Sequence, residues 1–247
     1  KSPGTGLDEG FYNTTFFNPE YTLDSVYYRQ FYNTLRFKLK RITEKKDIRL
    51  YFDLSHELLK YSFYTPSDNQ ISYAGDTSAL FRFTGQKFYP DTFKRARLLS
   101  NTSASFNVSW SKSDIFKSNI RACYFPGGYK DGSYNISAEF ISFLKGKSGK
   151  SFISVILDYK NEVPDYLLQS YYSNYFIWEN DFKPVKNAEI DLKYINPRRK
   201  VEAGINYSLI TDYIYFNTSS QPQQFENNLS VISLHLTKSL EFWKFRS

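Results

Sequence analysis

The sequence predicts an all-β chain, an antiparallel transmembrane β-barrel of which part is present. Three observations carry that prediction. Apolar and polar residues alternate with a period of two, in segments of about ten residues. Polar turns and loops separate those segments. Aromatic residues make up 19% of the 247 residues, yet the mean hydropathy is only −0.53. A soluble core holding so many rings normally comes with more Leu, Val, Ala and Met. Here the rings sit among Ser, Asn, Thr, Lys and Asp, which suits strands that are apolar on one face and wet on the other.

The segments follow in order. From Phe31 to Lys40, Leu35, Phe37 and Leu39 share one face, while Thr34, Arg36, Lys38 and Lys40 share the other. From Ile48 to Leu58, Ile48, Leu50, Phe52 and Leu54 alternate with Arg49, Tyr51, Asp53 and Ser55. From Asn101 to Trp110, Ala104, Phe106, Val108 and Trp110 oppose Ser103, Ser105, Asn107 and Ser109. Tyr134, Ile136, Ala138 and Phe140 begin the second half and alternate with Ser133, Asn135, Ser137 and Glu139; Ile153, Val155, Leu157 and Tyr159 form the next apolar face. Ala188, Ile190, Leu192 and Tyr194 oppose Glu189, Asp191 and Lys193. Val201 to Leu209 alternates with Glu202, Gly204, Asn206 and Ser208, and Ile232, Leu234 and Leu236 face away from Ser233, His235 and Thr237.

Three polar stretches read as tight turns: Thr43–Asp47, Lys145–Lys150 and Asn196–Lys200. Thr65–Ala74 and Asn217–Phe225 read as longer loops at the opposite end. Short turns at one end and long loops at the other are the asymmetry of outer-membrane barrels. Period two also fits a soluble sandwich or a lipocalin-like barrel. Gapless polar columns and rings gathered near strand ends favour the membrane. The rings are Tyr171, Tyr172, Tyr175, Phe176 and Trp178, then Phe242, Trp243 and Phe245, which are candidates for interfacial girdles.

Composition narrows the function classes. The net charge is +7, but Lys and Arg are spread along the chain among 25 acids. No nucleic-acid module stands out, so no nucleic-acid partner is expected. No run approaches the ~18 apolar residues that a membrane-spanning helix needs, which says nothing against a barrel. The single cysteine, Cys123, permits no internal disulfide and reads as a small strand residue. Methionine is absent, so the chain is expected to be processed or partial.

Catalytic chemistry has little support. His56 falls on the apolar parity of its strand and His235 on the polar parity, where a hydrogen-bonding wall residue explains it better than a general base. There is no Gly-x-Ser-x-Gly elbow, no His-Glu-x-x-His helix and no Cys/His cluster for zinc. Glu179, Asp181, Glu189 and Asp191 could suggest paired carboxylates or calcium, but with Lys183, Lys186 and Lys193 interleaved they read as a balanced polar wall. No catalytic residue, cofactor or metal is expected.

The stretch from about Tyr134 to Phe245 resembles the Bacteroidota putative porin family. Tyr171–Phe182 (YYSNYFIWENDF), Asn196–Lys200 (NPRRK) leading into Val201–Leu209, Tyr213–Phe216 (YIYF) and Gln221–Phe225 (QPQQF) carry the likeness, in that order. Tyr28–Arg41 is similar to an earlier strand of the family, more weakly. The resemblance implies one barrel domain over residues 1–247, a fragment of a longer barrel with further strands. It implies a place in the bacterial outer membrane, among its lipid and lipopolysaccharide. The function expected is passive diffusion of small hydrophilic solutes. The alternative is a non-conducting barrel, a structural or accessory subunit of a larger complex, with other outer-membrane proteins as partners. The candidate lumen residues are Arg36, Lys38, Lys40, Arg49, Asp53, Glu189, Asp191, Lys193, Glu202 and Asn206. They are assigned by parity, so a register slip of one residue would invert a strand.

Overall fold

A computed structural model describes residues 26–44, 46–65, 93–112, 115–146, 149–173, 175–239, 241–242 and 245–246. Nine strands form one antiparallel sheet. In chain order they begin with β1 (Tyr27–Ile42), β2 (Asp47–Thr65), β3 (Phe93–Lys112) and β4 (Phe116–Gly128). β5 (Tyr134–Gly146) and β6 (Gly149–Glu162) follow. A short helix α1 (Tyr166–Gln169) and two small strands, β7 (Ser170–Tyr172) and β8 (Ile177–Glu179), precede β9 (Val185–Asn196) and β10 (Val201–Thr211). Another small pair, β11 (Tyr213–Phe216) and β12 (Pro222–Phe225), comes before β13 (Leu229–Lys238). The sheet order is β1-β2-β3-β4-β5-β6-β9-β10-β13 and the sheet is open, a partial barrel wall.

Each strand of the large sheet pairs with its nearest large-sheet neighbour in sequence, so the wall is a simple meander. The connections alternate in length. β1 and β2 join through a turn closed by the Thr43 N–H donating to the Lys46 carbonyl at 2.8 Å. β9 and β10 join through residues 197–200. At the other end β6 reaches β9 through residues 163–184, and β10 reaches β13 through residues 212–228. The length asymmetry expected from the sequence is therefore present. The stretch expected as a plain loop at Asn217–Phe225 is more ordered, because β11 and β12 pair there as a hairpin. Of the other expected loop, residues 66–74 lie outside the described residues.

One strand of the large sheet escaped the sequence reading. In β4, Phe116, Ile120, Ala122 and Tyr124 do alternate with Lys117, Asn119, Arg121 and Cys123. Ser118 breaks the apolar column beside Asn119, and that blurs the period-two signal.

Candidate functional site

The pairing register decides which side chains share a face. Asp53 lies opposite Arg36 on β1 and Ser105 on β3. Ser105 in turn faces Cys123, Cys123 faces Asn135, Asn135 faces Lys160, and Lys160 faces Asn187. Cross-strand partners stand on the same side of a pleated sheet, so these pairs trace one face across six strands and on to β9. All ten candidates from the sequence fall on that face. Lys38 pairs with Tyr51 and Lys40 with Arg49 on β1–β2. Asp191 pairs with Asn206, Lys193 with Gly204 and Glu202 with Ile195 on β9–β10, and Glu189 pairs with Ser208.

Hydrogen bonds run along this polar face. The Arg36 guanidinium donates from two nitrogens to the two Asp53 oxygens, both at 2.8 Å. Thr34 Oγ1 and Ser55 Oγ are 3.0 Å apart. Glu57 accepts from Gln30 Nε2 and from Asn101 Nδ2, the latter at 2.9 Å. Asn206 Nδ2 donates to Glu189 Oε1 at 2.6 Å, and Lys193 Nζ sits 2.7 Å from Asp191 Oδ2. His235 Nε2 is 3.6 Å from Glu202 Oε1, a wall contact. Thr34, Arg36, Asp53, Ser55, Ser103 and Cys123 line part of a polar groove of about 640 Å³.

The opposite face is apolar and exposed. Leu35, Leu39, Leu54, Leu157, Ile190, Ile205 and Leu234 all stand open on it. A contiguous apolar surface of this extent is not what a water-soluble monomer presents. From Phe31 to Leu39 the outward face of β1 covers about 27 Å along the strand, or about 21 Å along the axis at a ~40° tilt, close to the ~25 Å band of a membrane barrel. Rings flank this face at both ends. Tyr124 pairs with Tyr134, and Tyr134 packs on Tyr159 with centroids 5.8 Å apart. Toward the short turns Trp110 meets Phe116 edge-on at 5.6 Å.

The segment 163–184 does not stand clear of the wall. Tyr172 is only 4% exposed and stacks on Phe63, which is 1% exposed, with centroids 5.3 Å apart. Phe63, Tyr61 and Leu59 share the parity of Ser55 and Asp53, so the segment lies against the polar face of β2. Leu99 of β3, the cross-strand partner of Leu59, joins this buried cluster. Tyr166 reaches Tyr61 at 5.1 Å and Tyr129 edge-on at 5.9 Å. Tyr129 Oη donates to the Pro164 carbonyl at 2.8 Å, and the Val163 N–H donates to Ser133 Oγ at 3.1 Å. Burial, reinforced by the Asp165 carboxylate, pushes the Tyr129 phenol well above its ordinary value.

Local sequence explains the shape of the insertion. Asp165 caps α1, its carboxylate accepting from the Leu167 N–H at 2.9 Å. Trp178 Nε1 donates to the Leu167 carbonyl at 2.9 Å, which closes β8 back over the helix. Gln169 holds both the N–H and the carbonyl of Phe182. Gln224 of β12 holds the Lys183 N–H at 3.0 Å and carbonyl at 2.9 Å, tying the two long connections together.

This arrangement corrects part of the aromatic expectation. Tyr172 is buried against the polar face of β2 rather than exposed at a strand end, and Tyr171 and Trp178 stack on each other at 4.7 Å within the insertion. Tyr175 and Phe176 lie in the same β7–β8 connection. The rings gathered there because the segment packs with itself and with β2, which period-two parity cannot show. Phe242 and Phe245 are backbone partners in a small pair, β14 (Glu241–Phe242) with β15 (Phe245–Arg246); Trp243 lies outside the described residues. Glu179 and Asp181 likewise belong to the insertion, and only Glu189 and Asp191 of the four acids stand on the wall. Among the described residues no group of His, Cys, Asp and Glu is placed to hold a metal ion.

Lys117 and Arg121 of β4 and Asp158 and Lys160 of β6 share the polar face in strands whose polar columns the sequence reading left out, and Glu139 of β5, which it put on a polar column, was not among its lumen candidates. Their signal was the same alternation. The insertion had a signal too: Pro164 and Pro184 bracket it, and Asp165 sits at a helix-cap position.

A family model described as "Putative porin" matches residues 6–247. No curated protein and no solved structure matches the chain.

Proposed function

From the premise that this chain belongs to the Putative porin family, we propose that its polar face lines a water-filled pore in the bacterial outer membrane. Small hydrophilic solutes diffuse through that pore passively. The observation that carries the reading is the division of one nine-stranded wall into a continuous polar face and an exposed apolar face. Backbone hydrogen bonds are met between strands inside the wall, and pairing of the β1 and β13 edges in a closed barrel would let it cross lipid. Inward side chains then set size and charge selection.

The wall carries its charges unevenly. Arg36, Lys38, Lys40, Arg49, Lys117 and Arg121 cluster on β1, β2 and β4, against Asp47, Asp53 and Glu57. Glu139, Asp158, Glu162, Glu189, Asp191 and Glu202 occupy β5–β10, against Lys160 and Lys193. The two halves offset each other, so the ion preference is mild. The insertion 163–184 narrows the passage from the side of β2.

That same insertion favours a second reading, a barrel whose lumen is blocked and which serves as an accessory subunit. Single-channel conductance of the full-length, detergent-purified protein in a planar bilayer separates the two. Stable ion-conducting steps support the pore. A folded, heat-resistant barrel that never conducts moves the assignment to the accessory subunit.

A further inference from the structure

The outward face of β1–β3 changes character toward the long connections. Phe37, Phe52 and Phe106 form one apolar row, and Leu35, Leu54 and Ala104 the next. Then comes a polar row, Asn33, His56 and Thr102, inside what is otherwise the apolar band. Beyond Phe31 and Leu58, Arg29 and Lys60 stand directly opposite each other as cross-strand partners.

Like charges placed opposite one another in an antiparallel pair repel. No Asp or Glu shares this face of β1–β3 among the described residues. Glu57, three residues before Lys60 in sequence, points to the other face and is held there by Gln30 and Asn101. Arg29 is nonetheless fixed in place: its Nε donates to Tyr27 Oη at 2.8 Å and its guanidinium lies 5.0 Å from the Tyr27 ring centre. Two facing cations at the rim of an apolar band, one of them held by Tyr27, with no acidic partner on this face among the described residues, fit an anion supplied by the membrane.

The polar row makes the same point independently. Hydrocarbon offers no hydrogen-bond partners, so polar side chains facing it are costly unless something else satisfies them. His56 Nδ1 lies 3.1 Å from Thr102 Oγ1, which occupies one ring nitrogen and leaves the other. The row lies about 14 Å along the strand below the cations, or about 10 Å along the membrane normal at a ~40° tilt. That is the side on which a lipid's acyl linkages lie below its phosphates.

We propose that this outward face binds a phosphorylated lipid of the leaflet at the long-connection end. Arg29 and Lys60 take the headgroup phosphate, and Asn33, His56 and Thr102 meet the carbonyl and hydroxyl groups where the acyl chains begin. The proposal rests on the membrane reading above but not on an open pore.

The test uses the full-length protein in phosphatidylcholine vesicles doped with bisphosphorylated lipid A, with retained lipid counted by native mass spectrometry after extraction. Arg29→Gln with Lys60→Gln is expected to weaken retention about tenfold or more, and His56→Leu about threefold. Heat resistance of the folded band controls for misfolding. Equal retention of dephosphorylated lipid A by the wild type overturns the proposal, as does wild-type retention by the double variant. Full competition by inorganic phosphate overturns it too, leaving only a free-anion site. A silent channel that still retains the lipid through these residues sinks the pore and leaves this site standing.

Discussion

On β2, Phe52 and Leu54 stand 40% and 42% exposed on one face, while Ser55, Leu59, Tyr61 and Phe63 are buried on the other. The buried hydrophobic side chains of this strand, Leu59, Tyr61 and Phe63, lie where segment 163–184 covers it, while its most regular apolar column stays open. In a soluble sheet the relation would be reversed, with the apolar column in the core. The difference supports the proposal that the main apolar face of this wall meets lipid. The packed cluster on its polar face is a local device, built by one connection, that occupies space a pore would otherwise leave to water.

The largest expected effect tests the packed side of this comparison. Phe63→Ala removes the ring on which Tyr172 stacks and should cost about 3–5 kcal/mol in the docking of the insertion. Hydrogen exchange across residues 163–184 would show it as early opening, and channel conductance should rise with it. Unchanged exchange would mean that the insertion is held elsewhere.

Next comes the lipid side. Leu157→Arg places a charge in the apolar band and should destabilise the folded protein in vesicles by about 2–4 kcal/mol. Ser137→Arg, on the opposite face near Arg121 and Asp158, should leave the urea midpoint close to wild type and alter conductance instead. Equal destabilisation by both variants would erase the distinction between the faces.

A smaller effect concerns the connection that receives the insertion. Gly128 has φ of 106°, and a Cβ there would lie 1.9 Å from the Ser100 carbonyl oxygen. Gly128→Ala should therefore cost about 1–3 kcal/mol by forcing an L residue into that backbone conformation, read from the urea midpoint. The smallest expected effect is alkaline. Because the folded Tyr129 phenol titrates above its ordinary value of 10.0, its contribution is complete below that pH and is lost as pH rises through the folded value. Trp178 fluorescence should report loosening of the insertion at strongly alkaline pH, less so in Tyr129→Phe.

The sequence made the wall legible because period two is a local property. Glu189, Asp191 and Lys193 could be put on one face without knowing which strand lay beside them, and the register confirms that they share it with Arg36 and Asp53. β4 was missed where Ser118 interrupts its apolar column. The insertion was misread for a different reason. Tyr171, Tyr172 and Trp178 look like strand-end rings in sequence, but Tyr172 is placed by Phe63, more than a hundred residues earlier, and Tyr171 and Trp178 by each other. Parity carries no information about a segment that folds back onto the wall. Arg29 and Lys60 were hidden in the same way, since their opposition exists only once β1 and β2 are in register.

The assignment of the polar face to water can be tested at Cys123, the single cysteine of the sequence. It stands on the polar face of β4, paired with Ser105 and Asn135, while Ala122 beside it faces the other way, paired with Phe106 and Ile136. The measurement is the labelling rate by a charged, membrane-impermeant thiol reagent in reconstituted vesicles. It would be made for the wild type and for Ala122→Cys in a Cys123→Ser background. A water-filled lumen predicts that Cys123 reacts and that the cysteine at position 122 stays protected by lipid. Protection of Cys123 with reaction at position 122 would contradict the account.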